Sequence, residues 1–242
     1  MITILLNGAH GRMGQETHKA LLLEPELQLV GELGRADDLA TAIKNSKAQV
    51  VIDFTNPSQV FANTVTIIEA GLHPVIGTTG LTPLQIVELQ ELCATKKLGG
   101  IIAPNFSIGA VLMMRFAAEA AKYFSAAEII EFHHQDKEDS PSGTAIKTAD
   151  MIASARQQTP QLKQSREVIT GARGALHRSV PIHAVRLAGI VANQQVIFGG
   201  KGETLTIQHN TINREAFMPG VILACKKVVQ LDKLVYGLEY ML

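Results

Sequence analysis

The chain has 242 residues, no tryptophan, only two cysteines and no excess of charge of either sign. Cys93 and Cys225 are far apart in sequence, which excludes a disulfide framework and any cysteine-rich zinc module and fits a reducing compartment. Lys+Arg and Asp+Glu are both 22, so the basic excess usual in nucleic-acid binders is missing. No apolar run reaches the length of a membrane span, and the stretch from Met1 to Gly8 has no basic segment, so no signal peptide is predicted. Internal repeats and low-complexity tracts are absent too. What is present is ordinary globular composition, 46% hydrophobic and 18% charged, with length for one or two domains. These features predict a cytoplasmic α/β protein whose partners are neither nucleic acid nor membrane.

Short apolar runs at Ile2–Leu6, Leu27–Leu33, Gln49–Phe54, His73–Ile76 and Gly100–Ala103 read as buried strands. Helical stretches lie between them. Asn56-Pro57-Ser58 places proline near a first turn and Gly71 follows the last periodic residue. Thr82-Pro83 opens a helix that runs to Lys96-Lys97, where the dipole favours cations. This alternation predicts a doubly wound, Rossmann-type parallel sheet. Beyond Asn105 the pattern changes. Ile108–Phe124 reads as a buried helix, Glu128–His134 as a strand, and Ser142 caps a helix to about Gln157. A polar loop at Thr159–Arg173 precedes three strands, Val180–Leu187, Gln195–Phe198 and Thr204–Thr211, with no helix between them. Phe217–Leu231 returns to helical period. The expected division is residues 1–105 with 216–242, for a dinucleotide, and 106–215, an α+β domain with a mixed sheet.

Gly8-Ala9-His10-Gly11-Arg12-Met13-Gly14 joins the first strand to the first helix. A pyrophosphate needs backbone N–H groups at a helix N-terminus with no side chain in the way, and this is the required strand–turn–helix context. A plain connecting turn is the competing reading. The second strand ends Glu32-Leu33-Gly34-Arg35. Glu32 would hold a ribose 2′-OH; if the deciding position is Gly34, Arg35 with Arg12 would clamp a 2′-phosphate. The second alignment is favoured, against Arg35 as a solvated loop charge. Gly77-Thr78-Thr79-Gly80 and Ala103-Pro104-Asn105-Phe106 fall at further C-terminal strand ends, where ligands bind in such sheets.

The most informative segment runs from Glu131 to Ala145 and contains His133, His134, Lys137 and Ser142-Gly143-Thr144. Adjacent strand residues face opposite ways, so the two histidines do not easily share an ion, and no metal is expected. The segment offers an imidazole that titrates near neutrality, a lysine as proton donor, and a helix start able to cradle a carboxylate. A solvated loop with a serine cap is the plainer alternative. Arg186 and Arg214 read equally as anion ligands or partners of acids. The isolated histidines read as structural, and the cysteines as small core residues.

These motifs, in this order, resemble the dihydrodipicolinate reductase family of lysine and diaminopimelate biosynthesis over the whole chain, weakest from Thr159 to Val180. The resemblance implies an oxidoreductase that uses NADPH or NADH to reduce 4-hydroxy-tetrahydrodipicolinate, via dihydrodipicolinate, to tetrahydrodipicolinate. It implies His133 as acid/base, Lys137 as proton donor, and His134, Gly143 and Thr144 as ligands of substrate carboxylate. It implies cofactor contacts from the loops at Gly8–Met13, Gly77–Thr79 and Ala103–Phe106 with Arg35, and a homotetramer built through the second sheet. Many relatives carry an acid where this chain has Gly34, a departure that favours NADPH. Asn193-Gln194 departs from a Gly-x-His feature, and the 159–180 region is short. The rival readings are another two-domain nicotinamide dehydrogenase and a non-catalytic cofactor sensor, neither of which needs the Glu131–Ala145 signature.

Overall fold

The computed structural model describes residues 1–158 and 166–242. The backbone divides into two units, Met1–Ile108 with Arg214–Leu242, and Gly109–Asn213.

The first unit contains β1 (Ile2–Asn7), α1 (Arg12–Leu22), β2 (Leu27–Leu33), α2 (Leu39–Asn45), β3 (Val50–Asp53), α3 (Val60–Glu69), β4 (His73–Ile76), α4 (Pro83–Lys96) and β5 (Gly100–Ile102). Its six-stranded parallel sheet has the order β11-β5-β4-β3-β1-β2, where β11 (Leu234–Tyr236) comes from the far end of the chain. The order reverses beside β1, which lies between β2 and β3; crevices at such switch points are where open α/β sheets bind ligands. β3 and the inner part of β1 are buried along their length, and strands enclosed by helices on both faces need continuous apolar runs. α4 begins with a capping box: Thr82 accepts the Gln85 amide and Gln85 accepts the Thr82 amide, with Pro83 opening the helix. It ends on Lys97 in the left-handed region.

Expectation and structure differ at several points. β11 was not expected; its three residues are a strand because β5 offers an open edge. α7 (Met218–Val228) is shorter than the expected Phe217–Leu231, preceded by a 3-10 turn and followed by turns to Leu231.

The second unit contains α5 (Ile108–Ala120, beginning at the boundary), β6 (Ala126–His133), α6 (Gly143–Ala155), β7 (Ala175–His177), β8 (Val180–Arg186), β9 (Ala192–Gly200) and β10 (Glu203–Thr211). The sheet is mixed, in the order β10-β9-β6-β8-β7, with β6 and β8 parallel and the other pairs antiparallel. α5 stops before Phe124 because its last turn tightens to i→i+3 bonds at Lys122 and Tyr123. The small residues Ala117, Ala145 and Ala149 let both helices approach Ile129, Val196 and Phe198 on the inner face of the sheet. β7 was not anticipated: it turns into β8 through Arg178-Ser179, both at positive φ, without the glycine or asparagine that announces such a hairpin. Of the expected loop at 159–173, residues 159–165 lie outside the described residues, and 166–173 form no helix or strand. No helix among the described residues is long and apolar enough to cross a membrane.

Candidate active site

In the first unit the loops after β1, β2 and β3 surround a cavity of about 620 Å³, lined among others by Gly8, His10, Gly11, Gly34, Arg35 and Thr55. Gly8 has φ +85, and a Cβ there would stand 2.4 Å from the Phe54 carbonyl oxygen. Gly14 on α1 lets the helix close on the loop itself, since a Cβ would meet the Gly8 oxygen at 2.2 Å. The amides of Gly8 and Ala9 both donate to the Leu33 carbonyl, at 2.9 and 3.0 Å, and Gly11 donates to Gly8. His10, Arg12 and Met13 form no such backbone bond among the described residues, so the amides suited to a phosphate come from the second half of the loop.

At the end of β2, Glu32 faces His18 at 2.7 Å and does not line the cavity. Gly34 and Arg35 do. Arg12 does not, so the expected Arg12–Arg35 pair is not brought together around this cavity. The His10 ring covers Gly34, 2.6 Å from where a Cβ would stand. Two acids that sequence reasoning passed over also line the cavity. Asp37 accepts the Gly34 amide at 2.7 Å, and Asp38 caps α2 by accepting the Thr41 amide at 2.8 Å. Hydrogen bonds from Thr41 hold the Asp38 carboxyl below its usual range.

The Gly77–Gly80 loop is anchored by a residue with no assigned role in the sequence reading. Asp53 ends β3 and is fully buried. Its Oδ1 accepts the Thr78 hydroxyl at 2.7 Å, the Thr55 hydroxyl at 2.8 Å and the Thr55 amide at 3.1 Å. Its Oδ2 accepts the Asn7 and Asn63 side-chain amides at 3.0 and 2.9 Å. Thr78 is therefore turned inward, while Thr79 is exposed. Gly77 is required by the Phe54 ring, 2.1 Å from a Cβ there. Ala103 joins β4 through Ile76, and the Asn105 side chain accepts the Ser107 amide at 2.8 Å. Phe106 packs edge-on against Phe54 with ring centres 5.8 Å apart and is buried, so its ring supports the loop rather than lining it. Pro104 lies between them in the same turn.

In the second unit the functional segment gathers at the end of β6. Glu131 and His133 are two apart on a strand and share a face. Glu131 is fully buried, and its Oε2 meets His133 Nδ1 in a short hydrogen bond. Arg186, in register with His133 on β8, sets both guanidinium ends on Glu131: Nη1 donates to Oε2 at 3.0 Å and Nη2 to Oε1 at 2.8 Å. The Ser142 amide donates to Oε1 at 3.3 Å. Burial pushes the Glu131 carboxyl up, but hydrogen bonds and charge from His133 and Arg186 outweigh it and hold the group below the usual range. Of the two readings of Arg186, the pairing with an acid is the one observed.

Lys137 follows a turn closed by its amide on the His134 carbonyl, and its ammonium pairs with Asp139. Ser142 caps α6 by accepting the Ala145 amide at 3.2 Å. Gly143 follows with open space where a side chain would be. The next turn is braced from inside, because Thr148 donates to the Thr144 carbonyl and buried Gln194 donates to Thr148, both at 2.7 Å. His183 pairs with Glu128, His177 with Asp150 and His73 with the Gly99 carbonyl, the structural roles expected of single histidines. Glu131 is what the sequence reading left without a role, and the acid that Arg186 would pair with was not named there; the i,i+2 spacing of Glu131 and His133 was the signal for the first.

The family models for dihydrodipicolinate reductase match residues 2–106 with the N-terminus and 109–242 with the C-terminus. The chain belongs to the dihydrodipicolinate reductase family. It is 52% identical over 239 residues to the 4-hydroxy-tetrahydrodipicolinate reductase of Legionella pneumophila strain Philadelphia 1, covering 99% of this chain and 98% of that one. It is equally 52% identical over 241 residues to the 4-hydroxy-tetrahydrodipicolinate reductase of Coxiella burnetii strain Dugway, covering 100% and 99%. Among solved structures, the dipicolinate-bound dihydrodipicolinate reductase of Paenisporosarcina sp. TG-14 matches with TM-score 0.88 and 41% identity over all of both chains. A scyllo-inositol dehydrogenase from Lactobacillus casei, at 13% identity and TM-score 0.67 over 100% of this chain and 92% of that one, shares the fold alone.

Proposed function

We propose that this family member is an NAD(P)H-dependent reductase that converts 4-hydroxy-tetrahydrodipicolinate, via dihydrodipicolinate, to tetrahydrodipicolinate. The observation that carries the reading is the cluster at the end of β6, where buried Glu131 holds His133 and the Ser142-capped start of α6, and Arg186, bound to Glu131, ties in the loop carrying Lys137.

The cofactor fits the first unit. The cavity lies at the switch point of the sheet, with a glycine loop, uncommitted amides and an exposed arginine beside it. Gly8–Met13 would hold the pyrophosphate, and the Gly77–Thr79 and Ala103–Phe106 loops the nicotinamide end. Arg35 supports NADPH as the preferred cofactor, because the nearby acids Asp37 and Asp38 are engaged with backbone amides and Glu32 faces away to His18. The nicotinamide, when bound, supplies a hydride. The chain's own residues do the rest. The helix start at Gly143 and Thr144, with His134, binds substrate carboxylate, using amide donors where no side chain intrudes. Reduction leaves negative charge on the substrate, which Lys137 stabilises and quenches by giving up a proton; His133 serves as acid/base beside it. The exposed strand β10 supports the second sheet as the surface of a homotetramer. Two buried, unpaired thiols suit a reducing, cytoplasmic setting.

The test is NADPH oxidation dependent on 4-hydroxy-tetrahydrodipicolinate, compared with Lys137→Ala. Loss of a positioned proton donor is expected to lower kcat by about 10²–10⁴-fold, with NADPH affinity retained. A fully active Lys137→Ala removes lysine from the mechanism, and a folded, cofactor-binding wild type that oxidises neither NADPH nor NADH ends the reductase reading in favour of a sensor.

A further inference from the structure

We propose that Glu131 is a positioning residue for this reaction: its carboxyl fixes the neutral His133 ring with the proton on Nδ1, and Arg186 holds Glu131 in that role. The proposal rests on the reading of His133 as acid/base.

The argument is one of donors and acceptors. Glu131 Oε1 receives Arg186 Nη2 and the Ser142 amide; Oε2 receives Arg186 Nη1 and His133 Nδ1. A carboxylate offers about four acceptor sites, so these contacts use all of them. A guanidinium and a backbone amide can only donate, so Glu131 faces its neighbours as an acceptor. The ring nitrogen opposite it must therefore carry a proton. That leaves Nε2 of the neutral ring with the lone pair, the atom available to take or return a proton at the substrate. The backbone fixes the same geometry, since His133 and Arg186 are register partners and the Leu187 amide donates to the His133 carbonyl at 3.0 Å. Arg186 Nη2 also donates to the Asp139 carbonyl at 2.7 Å, so one guanidinium ties both the strand carrying His133 and the loop carrying Lys137. A purely structural ion pair would need no particular ring tautomer.

The experiment uses the full-length protein labelled with ¹⁵N-histidine, with the His133 resonances assigned by their loss in His133→Gln. Two-bond ¹H–¹⁵N correlations, at a pH where that ring is neutral, are expected to show Nδ1 protonated. In Glu131→Gln the charged Arg186 keeps the amide oxygen, the amide NH₂ turns to Nδ1, and the proton moves to Nε2. Substrate-dependent kcat then falls by about 10²–10⁴-fold, as when the carboxylate behind a catalytic histidine is made an amide, with NADPH affinity unchanged. A wild-type ring protonated on Nε2 overturns the proposal, and this result needs no folded variant. So does a Glu131→Gln protein that keeps wild-type kcat while His133→Gln is inactive. If His133→Gln is itself fully active, the acid/base reading beneath the proposal is what fails.

Discussion

Thr78 donates its hydroxyl to Asp53 at 2.7 Å, so the loop after β4 is anchored to the end of β3. Five donors converge on this fully buried carboxyl from four residues, Asn7, Thr55, Asn63 and Thr78, and three of these four belong to segments that follow or end a parallel strand. Asp53→Ala strips those donors of their shared acceptor, and only Asn63 and Thr78 keep another, the Thr55 hydroxyl and the residue 53 carbonyl. Each donor left unpaired costs about 1–3 kcal/mol, so urea unfolding is expected to show a loss of about 3 kcal/mol or more. NADPH titration of the folded fraction should show weakened binding, because the loops at Gly8 and Gly77 lose a common anchor. Unchanged affinity would separate Asp53 from the cofactor loops.

Arg35 and Gly34 set the choice of cofactor in the proposed reading. A charge-assisted hydrogen bond contributes about 1.5–3 kcal/mol, so Arg35→Ala should lower kcat/KM for NADPH by about 10–100-fold while sparing NADH. Gly34→Glu pushes only against the His10 ring and Asp37, side chains able to move, and places an acid where a 2′-phosphate would lie. It should reduce the NADPH to NADH ratio in the same direction. Ratios that stay fixed in both variants would remove this corner from cofactor selection.

The acid limb of stability should be governed by the second unit. Folded Glu131 titrates below its ordinary value of 4.5 despite burial, which raises it, because His133 and Arg186 lower it further. Below the ordinary pKa the unfolded chain takes up the proton first, so stability falls with pH in that range. The contribution is complete above about pH 4.5 and disappears as pH drops through the folded value. Urea midpoints followed in the second unit should therefore fall between pH 6 and pH 3.5, and Glu131→Gln should flatten that slope.

Cys93 and Cys225 are both fully buried, and burial pushes each thiol up to about 12. The thiolate is the reactive form. An aromatic disulfide reagent at pH 8 should find no reactive thiol in the native protein and two after unfolding. Fast labelling of the native protein would contradict the burial of α4 and α7.

Much of this was legible in the sequence because the signals were local and redundant. Thr82-Pro83 specified the start of α4, and Ser142 the start of α6, since a cap needs only its own first turn. What escaped was set at a distance. β11 has three residues and no periodicity; it is a strand because β5 has a free edge. β7 turns through Arg178-Ser179, where no turn residue marks the bend. At the site, His133 and Lys137 stood out by residue type, but the role of Arg186 depends on the β6–β8 register, 55 residues from Glu131. Asp53 lies unremarked inside the Gln49–Phe54 run, and only the fold gathers its donors.

The first unit is assembled from both ends of the chain, which bears on how the polypeptide emerges during translation. Residues Gly109–Asn213 are all made before any of Arg214–Leu242 exists. The mixed sheet therefore has its full complement of strands while the parallel sheet still ends at β5, with Ile101 and Ile102 along an edge that Val235 and Tyr236 later occupy. An apolar, unpaired edge is a template for joining another chain. Until Leu234–Tyr236 is in place, β5 therefore presents its edge unpaired, and pairing with β11 is what removes it.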